Sequence, residues 1–465
     1  MAHHKITADI LQKITAIVGR DAVITAHDDL EKYSHDETED LSYYPEVVVK
    51  PRSAAEISQL LVLCNQYLIP VTPRGAGTGL SGGALSVLGG LLISMERFNQ
   101  ILNIDERNLQ ATVEPGVITE VFMDAVAKKG LYYPVDPASK GSCFIGGNVA
   151  HGSGGPRVVK YGTIREYILN LEVVLPSGEI IWTGANTLKY ASGYNLTKLM
   201  IGSEGTLGIV TKIVTKLIPH PKADVLMLAP FPTNESACAA VAEIFMAGVV
   251  PSAVEYMERE CIEWVIEYSG IVFDLKDGDN AFLLIEVDGT DKEVIFSECE
   301  KINLVLEKFG CKDVLFADTD AQKANLWKIR RTIGESVKIN SVYKKEDMVV
   351  PRAELPALIN GIKQIGDKFG FDSVCFGHAG DGNLHLNIVK GSMSDDAWTN
   401  ELDKGIREIF ELTVSIGGTI SGEHGIGLVQ KEFMPIKYTD VHFALWKGIK
   451  QVFDKNNILN PEKIF

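Results

Sequence analysis

Basic charge is scarce in this chain. Lys and Arg total 45 against 61 Asp and Glu, a formal net charge of −16. A nucleic-acid surface needs clustered cations to displace counterions from phosphates, so the balance argues against that class of function. It does not argue against an anionic small molecule in a local basic pocket. Cysteine is sparse too. The seven, at positions 64, 143, 238, 261, 299, 311 and 375, are odd in number and include no Cys-x-x-Cys. A disulfide framework, a zinc ribbon and a Cys-ligated iron–sulfur centre are therefore not expected, and a reducing cytoplasm is the default compartment. No run of about 18 apolar residues is present, and the N-terminus lacks a basic-then-apolar leader pattern. The expectation is a cytoplasmic protein without a transmembrane segment, with peripheral membrane attachment left open. Low-complexity tracts and solenoid-length repeats are also missing. What remains is a 465-residue chain of 46% hydrophobic content, too long for one core and suited to two or three domains.

The most chemically suggestive stretch is Gly377-His378-Ala379-Gly380-Asp381-Gly382-Asn383-Leu384-His385-Leu386-Asn387. Strict alternation after Asn383 predicts a strand, and Val374-Cys375-Phe376 a strand before it. Asp381-Gly382 is a favoured two-residue type I′ turn. That turn would pair 378 with 385, with Cβ atoms roughly 5 Å apart, a separation suited to two imidazoles on one metal ion. Asn387 falls on the same face as His385, because side chains repeat every second residue. A second stretch, Thr419-Ile420-Ser421-Gly422-Glu423-His424-Gly425-Ile426-Gly427, supplies a carboxylate as a third ligand. Adjacent residues on an extended chain point apart, so His424 would stand beside the ion as a candidate base.

Three glycine-rich tracts lie within the first half. Arg74-Gly75-Ala76-Gly77-Thr78-Gly79-Leu80-Ser81-Gly82-Gly83 contains Gly77-x-Gly79-x-x-Gly82. A Rossmann fingerprint must open a helix, and the strand Leu91–Met95 follows too soon. The tract reads instead as a nest of backbone amides for a diphosphate. Residues 136–155 form a small, mostly uncharged tract that suits chain laid flat against a large planar ligand. The third tract, 202–211, turns into a strand. One extended cofactor approached closely by backbone accounts for all three. Around them, residues 5–19 predict an amphipathic helix, 27–45 a polar surface connection, and Ser53-Ala-Ala-Glu56 a capping box opening a helix to about Tyr67. Residues 98–103 and 109–114 read as strands and 118–129 as a helix. After about Pro221, charged amphipathic helices at 235–247, 292–309 and 321–338 alternate with strands. That is an α+β region distinct from the first.

Together these motifs resemble the FAD-linked D-2-hydroxyacid dehydrogenases of the vanillyl-alcohol oxidase/p-cresol methylhydroxylase superfamily. The resemblance rests on Pro73-Arg74-Gly75-Ala76-Gly77-Thr78, Ile145-Gly146-Gly147-Asn148, Gly202-Ser203-Glu204-Gly205-Thr206-Leu207-Gly208, the His378…His385 hairpin and Gly422-Glu423-His424-Gly425. It covers about Pro45 to Pro461. The fold it implies is α+β: an N-terminal helical segment (1–44), a two-subdomain FAD-binding domain (45–221), an α+β substrate or cap domain with a metal site (222–420) and a C-terminal helical segment closing on the FAD domain (421–465).

Its implied site is as follows. FAD contacts come from Arg74, Gly75, Ala76, Gly77, Thr78, Gly79 and Leu80. Pro137, Ser142, Gly146, Gly147, Asn148, Ser153, Gly154 and Gly155 add to them, with Gly205, Ile209 and Asn460. No histidine lies in 74–83, so FAD is expected to be non-covalent. His378, His385 and Glu423 hold a divalent metal, with zinc expected and manganese or iron as alternatives. His424 is the base, and Arg330 and Asn387 bind substrate. Lys345 aligns with a lysine near the distal carboxylate in 2-hydroxyglutarate dehydrogenases, although Gly334 stands where those enzymes have threonine. His151 departs from the family's usual Thr or Glu.

The implied reaction is FAD-dependent oxidation of a D-2-hydroxyacid, of the D-lactate, glycolate or D-2-hydroxyglutarate type, to the 2-oxoacid. It would proceed by metal-assisted deprotonation of the hydroxyl and hydride transfer to flavin N5. Oxygen, a quinone, a cytochrome and an electron-transfer flavoprotein remain open as electron acceptors, and so does a homodimer. A metal-dependent hydrolase using the same His/His/Glu set is the alternative. It leaves the three glycine tracts without an explanation.

Overall fold

The computed structural model describes residues 3–465. The chain divides into two compact units. The first takes residues up to Gly154, Thr163–His220 and Glu423–Phe465; the second takes Gly155–Gly162 and Pro221–Gly422.

The first unit contains a four-stranded and a five-stranded sheet. In the four-stranded sheet, Val47–Val49 and Val71–Arg74 both run parallel to Leu91–Ser94, and Val23–Ile24 adds antiparallel at the edge. The helix Ala54–Tyr67 carries the chain from Val47–Val49 to Val71–Arg74, the two strands that flank Leu91–Ser94. Its N-cap is Ser53, whose Oγ accepts the Glu56 N–H at 3.2 Å. The Glu56 carboxylate reaches back to the Arg52 N–H at 2.6 Å, one residue before the cap. Ile10 and Ile14 of the helix Ala8–Val18 join Leu60, Leu61, Val71 and Ile93 in one core. The C-terminal segment returns to the same sheet: the Val71 N–H donates to Ile458 O and the Asn460 N–H to Val71 O. The five-stranded sheet is antiparallel, in the order Ile101–Asp105, Gln110–Val113, Ile209–Lys216, Ile168–Val174, Ile180–Trp182.

The second unit is built on a seven-stranded antiparallel sheet. Its order is Leu315–Ala317, Ala223–Phe231, Ala281–Gly289, Ala253–Glu258, Asp372–His378, Asn383–Val389, Tyr343–Val349. Side chains alternate across such a sheet. One face buries Leu226, Leu284, Met257, Phe376 and Val374 against Ile329, Ile333 and Val337 of the long helix Asp320–Asn340. Polar side chains continue that face.

Three expectations are corrected. The hairpin after Phe376 does not close on a two-residue turn: His378 pairs with Asn383 and Phe376 with His385, so Ala379–Gly382 form a four-residue loop. The loop is drawn inward because the Gly380 N–H donates to Val254 O and the Val350 N–H to Gly382 O. Pairing slips by two positions, an even number, so both histidines keep the same face. Residues 27–45 are more than a surface connection. His27–Ser34 is a helix with Leu30 and Tyr33 packed on Val48 and Leu92. Two buried apolar side chains in eight residues are too few to show a helical period. Residues 136–155 are not laid flat throughout, since Ile145–His151 is helical and ends on Gly152 in the left-handed conformation.

Gly382 has φ +84°, and a Cβ there would lie 1.9 Å from Val350 O. Gly382→Ala should therefore cost about 1–3 kcal/mol. A thermal midpoint lowered by a few degrees is expected; an unchanged midpoint would show that the loop is not constrained at this point.

Candidate functional site

The first unit holds a cleft of about 750 Å³, counted out to its open mouth. Much of its lining has no side chain beyond a hydrogen or a methyl: Gly75, Gly83, Ala84, Gly146, Gly147, Ala150, Gly205 and Gly208. A ligand can therefore approach the backbone of all three glycine tracts. Arg74, Gly75, Gly146, Gly147, Gly205 and Ile209 line the cleft as expected from sequence. Pro73, Pro115, Met200, His151 and Glu204 line it as well and were not singled out for it.

Several expected contacts have other employment. The Arg74 guanidinium is buried and donates to the carbonyls of His35 at 2.7 Å and Lys32 at 3.3 Å, so it caps the end of the His27–Ser34 helix. Gly77, at φ +76°, must lack a side chain because a Cβ would meet Arg74 Nη2 at 2.2 Å. Asn148 donates to Thr119 Oγ1 at 2.8 Å. Asn460 Nδ2 donates to Gly83 O and Glu204 O, tying two glycine tracts together. Ser142 is exposed. Gly155 falls in the second unit. Ala76, Thr78, Gly79, Leu80, Pro137, Ser153 and Gly154 stand in or beside the same tracts of the first unit, outside the cleft lining.

In the second unit, register gathers ionisable groups on one sheet face. Asp347 pairs with His385, Lys345 with Asn387, and Phe376 with His385. Tyr256 pairs with Gly377, which brings Glu255 beside His378. The two imidazoles meet edge to face, ring centroids 5.1 Å apart. His378 Nδ1 lies 2.7 Å from Glu255 Oε1, and His385 Nδ1 lies 3.5 Å from Asp347 Oδ1. Each ring thus faces a carboxylate through Nδ1 and has Nε2 as its other donor atom. That is the usual arrangement of metal-binding histidines. Burial pushes the His385 pKa below its ordinary value despite Asp347, so this ring is neutral at pH 7. Two buried imidazoles, each facing a carboxylate through Nδ1, fit a divalent metal.

Arg330 Nη2 pairs with Glu255 Oε2 at 2.6 Å, and its guanidinium stacks over Phe376 at 4.8 Å. Its buried Nε has no protein hydrogen-bond partner among the described residues. The Asn387 amide donates to Val374 O at 3.3 Å. Asp347 also accepts from Asn383 Nδ2 at 2.8 Å and from the Gly422 N–H at 2.9 Å. It therefore fixes the end of the strand-like stretch that leads into Glu423 and His424. Those two residues open the last segment of the first unit. Glu255 and Asp347 were missed from sequence. A lone carboxylate in a strand reads as a solvated position, and Glu255 is 123 residues from its partner His378.

Two family models match most of the chain. Residues 45–184 match the family model described as "FAD binding domain", and residues 220–464 the model "FAD linked oxidases, C-terminal domain". The chain is 38% identical over 461 residues to the glycolate oxidase subunit GlcD of Bacillus subtilis, covering 99% of this chain and 97% of that one. It is 37% identical over 471 residues to a D-lactate dehydrogenase of Anaerostipes hadrus, covering 99% and 98%. It is 31% identical over 459 residues to a D-2-hydroxyglutarate dehydrogenase of Stutzerimonas stutzeri, covering 98% of each. Among solved structures, p-cresol methylhydroxylase with substrate bound matches with a TM-score of 0.79 at 18% identity, over 98% of this chain and 96% of that one. At that identity the likeness is one of fold.

Burial alone would raise the Glu255 carboxyl, but His378 and Arg330, which meet its two oxygens, hold it below its ordinary value. Its charge therefore stabilises the fold above its unfolded pKa of about 4.3, and the contribution is lost as pH falls through the lower folded value. Glu255→Gln would leave Arg330 buried without its counter-charge, a change that costs about 3–5 kcal/mol. Denaturation at pH 7 should show that loss. The gap between variant and parent should narrow below about pH 4; a gap independent of pH would contradict an ionised Glu255.

Proposed function

The chain belongs to the FAD-linked oxidases, and from that premise we propose that it oxidises a small D-2-hydroxyacid to the corresponding 2-oxoacid. The observation that carries the proposal is the pair of buried imidazoles, His378 and His385, each backed by a carboxylate on one sheet face. The similar proteins named glycolate oxidase subunit, D-lactate dehydrogenase and D-2-hydroxyglutarate dehydrogenase support the substrate class.

FAD, when bound, supplies the two-electron sink for the hydride leaving Cα. His378 and His385, with Glu423 as third ligand, would hold a divalent ion. Such an ion would supply Lewis acidity to a hydroxyl beside it, as zinc lowers the pKa of water to about 7. The protein's own groups do the rest. His424 accepts the hydroxyl proton on a ring nitrogen. Arg330 engages the substrate carboxylate through the guanidinium edge that carries Nε, since Nη2 is already committed to Glu255. A lysine would lack that planar fork. Asn387 orients the substrate beside His385, and Lys345, half-buried opposite Asn387, would favour a substrate with a second carboxylate. Holding Cα in one orientation supplies the proximity term.

Hydrolysis by the same His/His/Glu set is disfavoured, because residues 45–184 match an FAD binding domain. Among the described residues no helix is long and apolar enough to cross a membrane.

Anaerobic titration with D-lactate, glycolate, D-2-hydroxyglutarate and D-malate should bleach the flavin with at least one of them. No bleaching by any would refute the substrate class. His424→Ala should leave FAD bound and slow flavin reduction by roughly 10²–10⁴-fold, the range for a general base. Arg330→Lys should chiefly raise KM, and an unchanged KM would remove Arg330 from the substrate site. Treatment with a chelator should stop reduction by substrate without releasing FAD, and added zinc or manganese should restore it.

A further inference from the structure

The loop that carries His424 is gripped by Glu204, which lines the cleft of the first unit, and by Ser81, which stands outside its lining. Glu204 Oε1 accepts the Ile426 N–H at 2.7 Å, and its Oε2 accepts the Gly427 N–H at 2.8 Å. Ser81 Oγ donates to the His424 carbonyl at 3.1 Å, and the Ser81 carbonyl accepts the Leu428 N–H at 2.7 Å. Two glycines make the fit possible. A Cβ on Gly427 would lie 2.0 Å from Ser81 O. A Cβ on Gly425, at φ +82°, would lie 2.8 Å from His151 Nδ1 and 2.9 Å from Glu204 Oε1. The loop is thus seated on Ser81 from one glycine tract and Glu204 from another, with His151 closing the third side.

Glu204 is itself held under strain. It is buried, yet it has φ +50°, a left-handed conformation that costs a non-glycine residue energy. Its N–H donates to Ala150 O, and its carbonyl accepts from Asn460. A motif of the form Gly-Ser-Glu-Gly could satisfy a tight turn with glycine or asparagine at this place. The strained residue instead carries a carboxylate whose two oxygens meet two consecutive amides. A carboxylate is the side chain that accepts twice in this way, and charge-assisted bonds to backbone N–H are strong.

We propose that Glu204 is a positioning residue for the proposed base: it sets the conformation of residues 424–427 from the wall of the FAD cleft, so that His424 stands ready to take the substrate proton. The inference rests on the reading of His424 as base, and it adds a residue that acts through that base and does not touch the substrate.

The test is a double-mutant cycle on the FAD-loaded protein, reading the rate of flavin reduction by the best substrate under anaerobic conditions. Glu204→Gln places an NH₂ group against a backbone N–H. A base misplaced by about 1 Å costs about 100-fold in rate. The expected result is a fall of that order at saturating substrate, with KM within about twofold. In the His424→Ala background, the same substitution should produce no further loss, because the group through which it acts is gone. Ser81→Ala removes only the bond to the His424 carbonyl. It serves if Glu204→Gln does not fold, with an expected loss of about tenfold for one hydrogen bond, also absent in the His424→Ala background. FAD affinity, measured by titrating apoprotein, and thermal midpoint accompany each variant. A folded Glu204→Gln variant that reduces flavin at the parental rate overturns the inference. So does a loss that multiplies with that of His424→Ala, which would mark a role in general stability or cofactor binding. Should His424→Ala itself reduce flavin at the parental rate, the reading of the base fails first, and this result is separate from the other two.

Discussion

Glu255 has no exposed side-chain surface, and a carboxylate in that position persists only if its charge is answered on the spot. Here it is answered twice, by His378 through one oxygen and by Arg330 through the other. This one anion fixes the tautomer of a candidate ligand and the rotamer of a candidate substrate-binding residue. The same logic repeats along the sheet. Burial would raise the Glu286 carboxyl, but Arg157 and the hydrogen bonds from Ser252 and Trp327 hold it low. Arg157 belongs to Gly155–Gly162, the stretch the second unit takes from among the residues of the first. Lys160 and Tyr161 of that stretch both reach Asp288. A row of buried acids on one face therefore organises local contacts that hydrophobic packing alone would leave free to slide.

The first unit follows the opposite rule. Its cleft is built by removing side chains and not by pairing charges. Gly146 has its would-be Cβ 2.4 Å from Pro115 Cβ, so the Ile145–His151 helix can approach Pro115 only with glycine there. The exposed amides that result are available to a ligand. A cofactor that brings its own reactivity needs this kind of cradle, whereas a pocket that must move a proton and hold an anion, the role proposed for the charged sheet face, needs titratable groups.

Much of this division was legible in the sequence, for identifiable reasons. The three glycine tracts stand out because glycine is costly where it is not required. The alternation from Leu384 to Asn387 disclosed a strand and its inner face, and that face survived an error in register because the slip was even. Features made by distant partners were not legible. Asp347 and Glu255 look like surface acids until strands far apart in sequence are laid side by side. The helix His27–Ser34 owes its existence to two side chains and to Arg74 capping its end, a contact across about forty residues that no local pattern announces.

Glu204 belongs to the same lesson from another direction. In the motif Gly202-Ser203-Glu204-Gly205 the glycines draw attention, and the acid between them passes for a solvated turn residue. Its side chain is in fact turned inward, and its positive φ is the geometric consequence: the backbone adopts a costly conformation so that both carboxylate oxygens can face the amides of Ile426 and Gly427. Strain of that kind persists where the contacts it secures are worth more than its cost. These contacts involve the two residues that follow Gly425, immediately after His424. The tract that helps line the glycine-walled cleft therefore also holds the backbone next to the proposed base. A substitution there would alter reactivity without removing any group that touches the substrate.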